Sequence, residues 1–358
     1  MRLPGWKGRR VVVGGGGGFL GSYLVPVLVS RGASVTVVDN FENGRPADVM
    51  AFGAEQVLRT PGTSGTSGTV DIVQAGTVHV VEGDLRDRQM CDSVLRGCDL
   101  FINLAAKASG VGFSRTHHGE MLIDNILCGL VPLRAAAGQG VSHVVVTSSS
   151  CVYPDDAEVP TPELDPFIRK PESVNEGYGW AKRIQELAAH YLSLESGLRV
   201  TVIRPFNLYG GNYPWRSSEK AHVVPSLVKR VLDGEDPLVV WGSGEQRRNL
   251  LHGTDAAEVI ARVIEGGTEE AVNIGYEDAT SVAELVAMIC DVTGRHPSIV
   301  FDRSRPDGAP RKAADATRLR ALTGNYVPRV TLRQGIEEMV DWYDRTFGGP
   351  VSGGRSSR

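Results

Sequence analysis

Tyr178 and Lys182, in Gly177-Tyr178-Gly179-Trp180-Ala181-Lys182, have the types and spacing needed to take a proton from a hydroxyl. A phenol ionises near pH ~10 and is a poor base at neutrality unless a neighbouring positive charge stabilises the phenolate. Residues four apart on a helix share a face, and the apolar spacing from Ile184 to Leu192 predicts that a helix continues past them. The Lys182 ammonium then falls beside the Tyr178 oxygen. A substrate hydroxyl held there loses its proton as its carbon gives up hydride. Ser149, within Ser148-Ser149-Ser150-Cys151, adds a hydrogen bond to the charge developing on that oxygen, whereas Ser148 is expected to pack below it.

That chemistry needs a hydride acceptor, and the N-terminal region is built to hold one. Val11-Val12-Val13 reads as a β-branched strand, the five glycines from Gly14 to Gly18 as a tight turn, and Phe19 to Arg31 as a helix ending at Gly32. Gly15, Gly18 and Gly21 have the Gly-x-x-Gly-x-x-Gly spacing. It permits a sharp turn, brings a pyrophosphate against the helix N-terminus at Phe19 and Leu20, and packs helix closely on strand. Asp39 ends the next apolar run, at the right distance to accept hydrogen bonds from an adenosine ribose. Its charge repels a 2′-phosphate, so the expected cofactor is NAD rather than NADP. Pro26 breaks the helical rule against interior proline, and the sequence offers no reason for it.

Further apolar runs, Ser34 to Asp39, His79 to Glu82, Leu100 to Leu104, His143 to Ser148 and Leu198 to Arg204, read as buried parallel strands alternating with helices. The order predicts a doubly wound parallel α/β sheet of the Rossmann kind, with ligands at the carboxyl ends of its strands. Asp39, Asp84, Ala105, Ser149 and Asn207 lie at or just past such ends. At 358 residues with 41% hydrophobic content, the chain is large enough for about two domains. Residues 1–205 are expected to form the dinucleotide-binding domain, with 252–275 returning to it through a helix and a strand. Residues 206–347 are expected to form a smaller, interleaved substrate-binding lobe, and 348–358 a flexible tail. The low-complexity run Thr60 to Thr69 reads as a mobile surface loop.

A net charge of −4 gives no basic surplus for a nucleic-acid partner. Five cysteines without a Cys-x-x-Cys pair argue against a disulfide scaffold or a metal site and favour the cytoplasm. Met1 to Arg10 has no apolar core of a signal segment, and no uninterrupted run reaches the roughly eighteen apolar residues of a membrane span.

From Arg10 to Phe347 these features resemble the extended short-chain dehydrogenase/reductase family, whose members modify nucleotide sugars. The resemblance rests on the glycine turn, Asp39-Asn40-Phe41-Glu42-Asn43-Gly44-Arg45, Gly83-Asp84-Leu85-Arg86-Asp87, Asn103-Leu104-Ala105-Ala106, Ser149, Tyr178, Lys182 and Arg204-Pro205-Phe206-Asn207-Leu208-Tyr209-Gly210. It departs at Asn103, where the family more often has histidine. It implies cofactor contacts from Asn40, Asp84, Leu85, Leu104, Ala105 and Ala106, besides Tyr178 and Lys182. It also implies a homodimer paired through the helix bearing Tyr178 and the segment from Leu122 to Ala137.

Within the family, Cys151 looks like the acid/base cysteine of the GDP-mannose 3,5-epimerase and GDP-fucose synthase groups. Lys220 falls where the first group places a catalytic lysine, and His222 where the second places a catalytic histidine. Ser109-Gly110-Val111-Gly112-Phe113, followed by His117-His118, is similar to a substrate loop. Arg248 takes the position of a phosphate-binding arginine and Arg311 is a second candidate, because guanidinium grips phosphate bidentately. Gly110, Ser150, Asn207 and Lys220 complete the implied substrate contacts. The chemistry is coherent. Oxidising C4 to a ketone acidifies the hydrogens at C3 and C5, and inverting either centre needs a base on one face and an acid on the other. Cys151 with Lys220 or His222 supplies such a pair. The resemblance implies an NAD-dependent nucleotide-sugar epimerase acting at C3 or C5 of a GDP-hexose. An epimerase-reductase, a C4 epimerase, a dehydratase and an inactive NAD-sensing scaffold are the alternatives.

Overall fold

The structure, a computed structural model, describes residues 5–45, 49, 54–59, 78–213, 221–305 and 308–348. The expected surface loop at Thr60 to Thr69, the tail beyond Gly348 and the candidate Lys220 lie outside the described residues. The first seven strands are β1 (Arg10–Gly14), β2 (Ser34–Asp39), β3 (Ala54–Arg59), β4 (Val78–Glu82), β5 (Leu100–Asn103), β6 (His143–Thr147) and β7 (Arg199–Pro205). They are followed by β8 (Asn207–Tyr209), β9 (Leu238–Trp241), β10 (Arg247–Arg248), β11 (Leu250–His252), β12 (Val272–Ile274), β13 (Thr280–Ser281), β14 (Ile299–Asp302) and β15 (Arg311–Lys312). The helices are α1 (Phe19–Ser30), α2 (Arg88–Val94), α3 (Val111–Ser114), α4 (His118–Gly138), α5 (Glu176–Ser196), α6 (Val223–Leu232), α7 (Gly253–Gly266), α8 (Val282–Thr293), α9 (Thr317–Thr323) and α10 (Leu332–Phe347).

Eight strands form one parallel sheet in the order β12-β7-β6-β5-β1-β2-β4-β3. Alternate residues feed the two faces. Val11, Val13, Val35 and Ile102 pack with Leu24 and Leu28 of α1 and Val259 and Ile260 of α7. Val12, Val38, Phe101 and Val144 pack with Leu133 of α4 and Ala189 of α5 on the other side. Burial on both faces explains why these strands read as continuous apolar runs. β3 was not foreseen, because Ala-Glu-Gln-Val-Leu-Arg breaks such a run. β12 pairs with β7 after the chain has left for the second lobe, so the two parts are interleaved. Helix α1 runs through Pro26 without a break.

The second lobe gathers around Val224, Leu227, Val228, Leu238, Leu285, Ile289, Ile336 and Met339. In it, β10 lies between β13 and β15, with Arg247 opposite Arg311 and Arg248 opposite Lys312. Thr161, in the loop beyond Cys151, donates its N–H to Ala313 O at 2.9 Å and accepts from Asp315 N at 2.9 Å, which ties β15 to the first domain.

Helix α5 is attached to the sheet, to the turn after β6 and to α4 by polar side chains that are themselves buried. Lys182 Nζ donates to Thr147 O at 2.8 Å, Arg183 Nε to Val152 O at 2.9 Å and Gln185 Nε2 to Asn125 O at 2.7 Å. Arg204 of β7 donates to Glu186 from Nε at 3.0 Å and from Nη2 at 2.6 Å, with side-chain exposures of only 4% and 9%. Tyr153 Oη and Leu164 O take further Arg204 donors, and Ser148 donates to Glu186, as its expected place below the site requires. Helix α4 is long and apolar enough by composition to cross a bilayer, but its Met121, Asn125, Leu133 and Ala136 are buried in this protein.

Breaking the bidentate pair leaves a buried charge. Arg204→Met is expected to lower unfolding free energy by about 3–5 kcal/mol, and adding Glu186→Leu to recover part of that loss, as read by chemical denaturation.

Candidate active site

The glycine turn is shaped by close approach. Gly15 has φ +71°, and a Cβ there would lie 2.6 Å from the Ala105 backbone; one at Gly21 would lie 2.2 Å from Gly16 O. Gly18 is the N-cap of α1, with φ −84°, and no side chain caps that helix end. Phe19 and Leu20 form its first turn, leaving backbone donors for an anion. The Asp39 carboxylate accepts Gly17 N at 2.9 Å and Phe41 N at 2.8 Å. Burial raises its pKa, opposed by those two donors. Each oxygen keeps a second lone pair for a ribose hydroxyl.

The neighbouring strand ends close around this cradle. Leu104 N bonds Gly14 O at 2.8 Å, and Asn103 Oδ1 accepts Ala105 N at 3.1 Å. Asn103 also donates to Cys128 O at 3.1 Å, so its side chain fixes the turn leading to Ala106. Asp84 holds Arg86 at 2.6 Å, and Leu85 is buried against Gly14. The arrangement fits NAD: a turn with no room for side chains, an uncapped helix N-terminus and a carboxylate with free acceptor sites.

At the carboxyl end of β6, Ser149 Oγ accepts Cys151 N at 3.1 Å, and its hydroxyl is placed to favour the Tyr178 phenolate. Lys182 Nζ lies 5.6 Å from the Tyr178 ring centroid. Burial brings the Lys182 pKa down to about 8, against opposing charge from Cys128 and Glu186. Burial also raises the Tyr178 phenol, with Cys151 and Cys128 adding to the shift and Ser149 opposing it. Gly179 makes this crowding possible, since a Cβ there would meet Cys151 O and Pro171 Cβ at 2.6 Å.

Cys151 has neighbours that the sequence did not disclose. Lys312 Nζ is 3.9 Å from its Sγ and 3.1 Å from each oxygen of Glu172. Burial pushes the thiol up to about 12, with Lys312 opposing and Glu172 assisting. Against burial, Lys312 and Asn175 bring Glu172 down to about 2. His222 is the N-cap of α6; its N–H donates to Tyr213 Oη at 3.2 Å and its ring meets Tyr213 edge-on at 6.1 Å between centroids. The residue is exposed as a whole, while the protein packed around its ring lowers its pKa and Lys312 lowers it further.

The candidate substrate contacts fall into two groups. Ser150, Tyr153, Glu172, Phe206, Arg311 and Lys312 line one small open cavity. Arg248 lies beside Lys312 across β10 and β15 and donates to Ala309 O at 2.7 Å, while Arg311 donates to Glu277 O at 2.9 Å. Asn207 Nδ2 reaches Asn249 O at 3.0 Å, and Gly110 begins the helical turn α3. Lys312 is adjacent in sequence to Arg311, and strand alternation was the signal that both faces of that dipeptide matter. Glu172 stands in no recognisable pattern.

Residues 11–275 match the NAD dependent epimerase/dehydratase family. The dTDP-4-dehydro-6-deoxy-D-allose reductase of Streptomyces sp is 30% identical over 351 residues, 96% of this chain and 98% of that protein. GDP-L-fucose synthase 1 of Arabidopsis thaliana is 31% identical over 245 residues, 67% of this chain and 75% of that protein. The structure of UDP-glucose 4-epimerase from Thermotoga maritima, solved with UDP-glucose, superposes with a TM-score of 0.76 at 26% identity, covering 94% of this chain and 99% of that one. That of dTDP-glucose 4,6-dehydratase from Streptomyces venezuelae, solved with NAD, gives 0.75 at 27% identity, covering 95% and 98%. The glycine cradle, Asp39 and these matches over most of the chain lead to one conclusion: the protein belongs to the NAD-dependent epimerase/dehydratase family of extended short-chain dehydrogenase/reductases.

Proposed function

We propose that the protein is a nucleotide-sugar epimerase that inverts C3, C5 or both of a GDP-hexose of the GDP-mannose type through a transient 4-ketone. What supports this reading is the placing of Cys151 beside Ser149, with Lys312 Nζ 3.9 Å from its sulfur, and of His222 where the same Lys312 charge bears on its ring and favours the neutral imidazole. A neutral imidazole is ready to take a proton and a neutral thiol is ready to give one.

NAD, held by the glycine turn and Asp39, would supply a reversible hydride acceptor for C4. Tyr178 receives the C4 hydroxyl proton, the Lys182 charge favours the phenolate, and Ser149 hydrogen-bonds the C4 oxygen as it becomes a carbonyl. With the ketone in place, His222 or Lys220 removes the proton at C3 or C5, and Cys151 delivers one to the opposite face. Arg248 and Arg311 hold the diphosphate, while Gly110, Ser150 and Asn207 orient the sugar. A C4 epimerase would leave Cys151 and His222 without work.

The reductase and fucose synthase relatives favour a second reading. In it the substrate is a ready-made 4-keto-6-deoxy sugar, the same acid and base act beside the ketone, and a reduced cofactor is consumed. Asp39 favours NADH over NADPH for that reaction.

The protein is also proposed to be a homodimer. Ile123 and Leu127 of α4, and Leu187, Tyr191 and Leu194 of α5, are exposed on two helices that pack side by side, with Leu194 69% exposed. Apolar side chains at that spacing on adjacent helices form the patch that a second copy would cover.

GDP-mannose incubated with the protein in deuterated water, without added cofactor, is expected to gain deuterium at C3 or C5 with inverted products visible by NMR. No incorporation, together with oxidation of NADH by 4-keto-6-deoxy sugars, would select the second reading. Tyr178→Phe is expected to abolish oxidation at C4, whereas Cys151→Ala keeps hydride exchange at C4 and loses proton exchange at C3 and C5. In light scattering, Leu194→Glu combined with Tyr191→Asp is expected to convert dimers into monomers.

A further inference from the structure

The reading of Cys151 as a proton donor leaves a buried ion pair beside it unexplained. Glu172 precedes α5, and its N–H bonds Cys151 O at 3.2 Å, so its carboxylate is carried in fixed register with the thiol. Asn175 Nδ2 holds one carboxylate oxygen at 2.8 Å, and the carboxylate and the thiol each bear on the other's ionisation. Lys312 arrives from β15 of the other lobe and touches both partners, at 3.1 Å from each Glu172 oxygen and 3.9 Å from Cys151 Sγ. The side chains are 13% and 17% exposed, so solvent screens the three-way contact little.

We propose that Glu172 and Lys312 are positioning residues for the Cys151 proton: the first domain's carboxylate, held in register with Cys151, opposes charge on the sulfur and keeps it protonated at rest, and the lobe's ammonium, 3.9 Å from Sγ, stabilises the thiolate left after transfer. This rests on the proposed proton transfer at C3 or C5. In that step the S–H bond breaks, a C–H bond forms at the sugar carbanion, and the electron pair stays on sulfur beside Lys312. Solvent then returns one proton to the thiolate, matching the one that leaves the opposite base. The charges act in opposite directions on the same atom, Lys312 favouring thiolate and Glu172 favouring thiol. The other groups in reach are Ser149 and Tyr178 around the sulfur, and Arg248 and His222 around Lys312. A salt bridge serving only to join the lobes would have no need to enclose a sulfur.

The test measures alkylation of Cys151 by iodoacetamide against pH, located by peptide mass spectrometry on the full-length protein without sugar. Thiolate is the reactive form, so at pH ~8 the rate is expected to rise at least about threefold in Glu172→Gln and to fall at least about threefold in Lys312→Met. Lys312→Arg keeps the charge and is expected to stay within about twofold of the parent rate. Glu172→Asp, which keeps the carboxylate but withdraws it, is expected to shift in the same direction as Glu172→Gln and serves if the amide variant does not fold. Shifts of the same sign in the Glu172 and Lys312 variants, or no shift in either one, overturn the proposal. Because no sugar is present, opposed shifts would stand even if the epimerase reading failed. Conversely, loss of exchange in Cys151→Ala with unmoved alkylation would sink this proposal alone.

Discussion

The bidentate contact between Arg204 and Glu186 is the constraint on which the rest of the site depends. Removing two charges from water is expensive, and the geometry offsets it by filling nearly every polar position: two guanidinium bonds to the carboxylate, a third to Tyr153 Oη, a fourth to Leu164 O, and Ser148 on Glu186. The pair joins β7 to α5 one turn beyond Lys182. Tyr178 therefore faces the end of β6 at a height and rotation set from below. Lys182 contributes to the same attachment through Thr147 O, so its ammonium has a place before any substrate arrives.

Above that foundation, the site is poised by burial rather than by strong ionic pairing. Burial favours neutral forms of Tyr178, Lys182 and Cys151, and the balance at each is then adjusted by named neighbours. Groups kept close to neutrality exchange protons without a large desolvation cost. Glu172 and Lys312 are the exception, and being opposite in sign they can remain charged in the same enclosure.

Much of this was legible in the sequence because it depends on local rules. The strand at Val11 to Gly14, the glycines that follow and Asp39 at the end of the next strand specify a cofactor cradle by spacing alone. Tyr178 and Lys182 are legible because helical geometry relates positions four apart. The contacts around Cys151 are not local: Glu172 meets Lys312 across 140 positions of chain, and no periodicity relates them. The strand Ala54–Arg59 was missed because an edge strand need not be apolar throughout. Gly179 looked like part of a motif around Tyr178, while its physical reason, the approach of Cys151 O, appears only when the helix is seated.

The late return of β12 has a consequence for synthesis on the ribosome. Its partners Ile203, Arg204 and Pro205 emerge well before Val272, Asn273 and Ile274, so the outer edge of β7 has its backbone groups unpaired in the interval. At elongation rates of about 5–20 residues per second that interval lasts about 3–13 s. The cofactor cradle is already translated by then, but the nascent sheet carries an open apolar margin of the kind that recruits other strands. Nascent-chain crowding and chaperone capture would therefore act on this protein at β7, and they would cease to act there once the second lobe had sent the chain back.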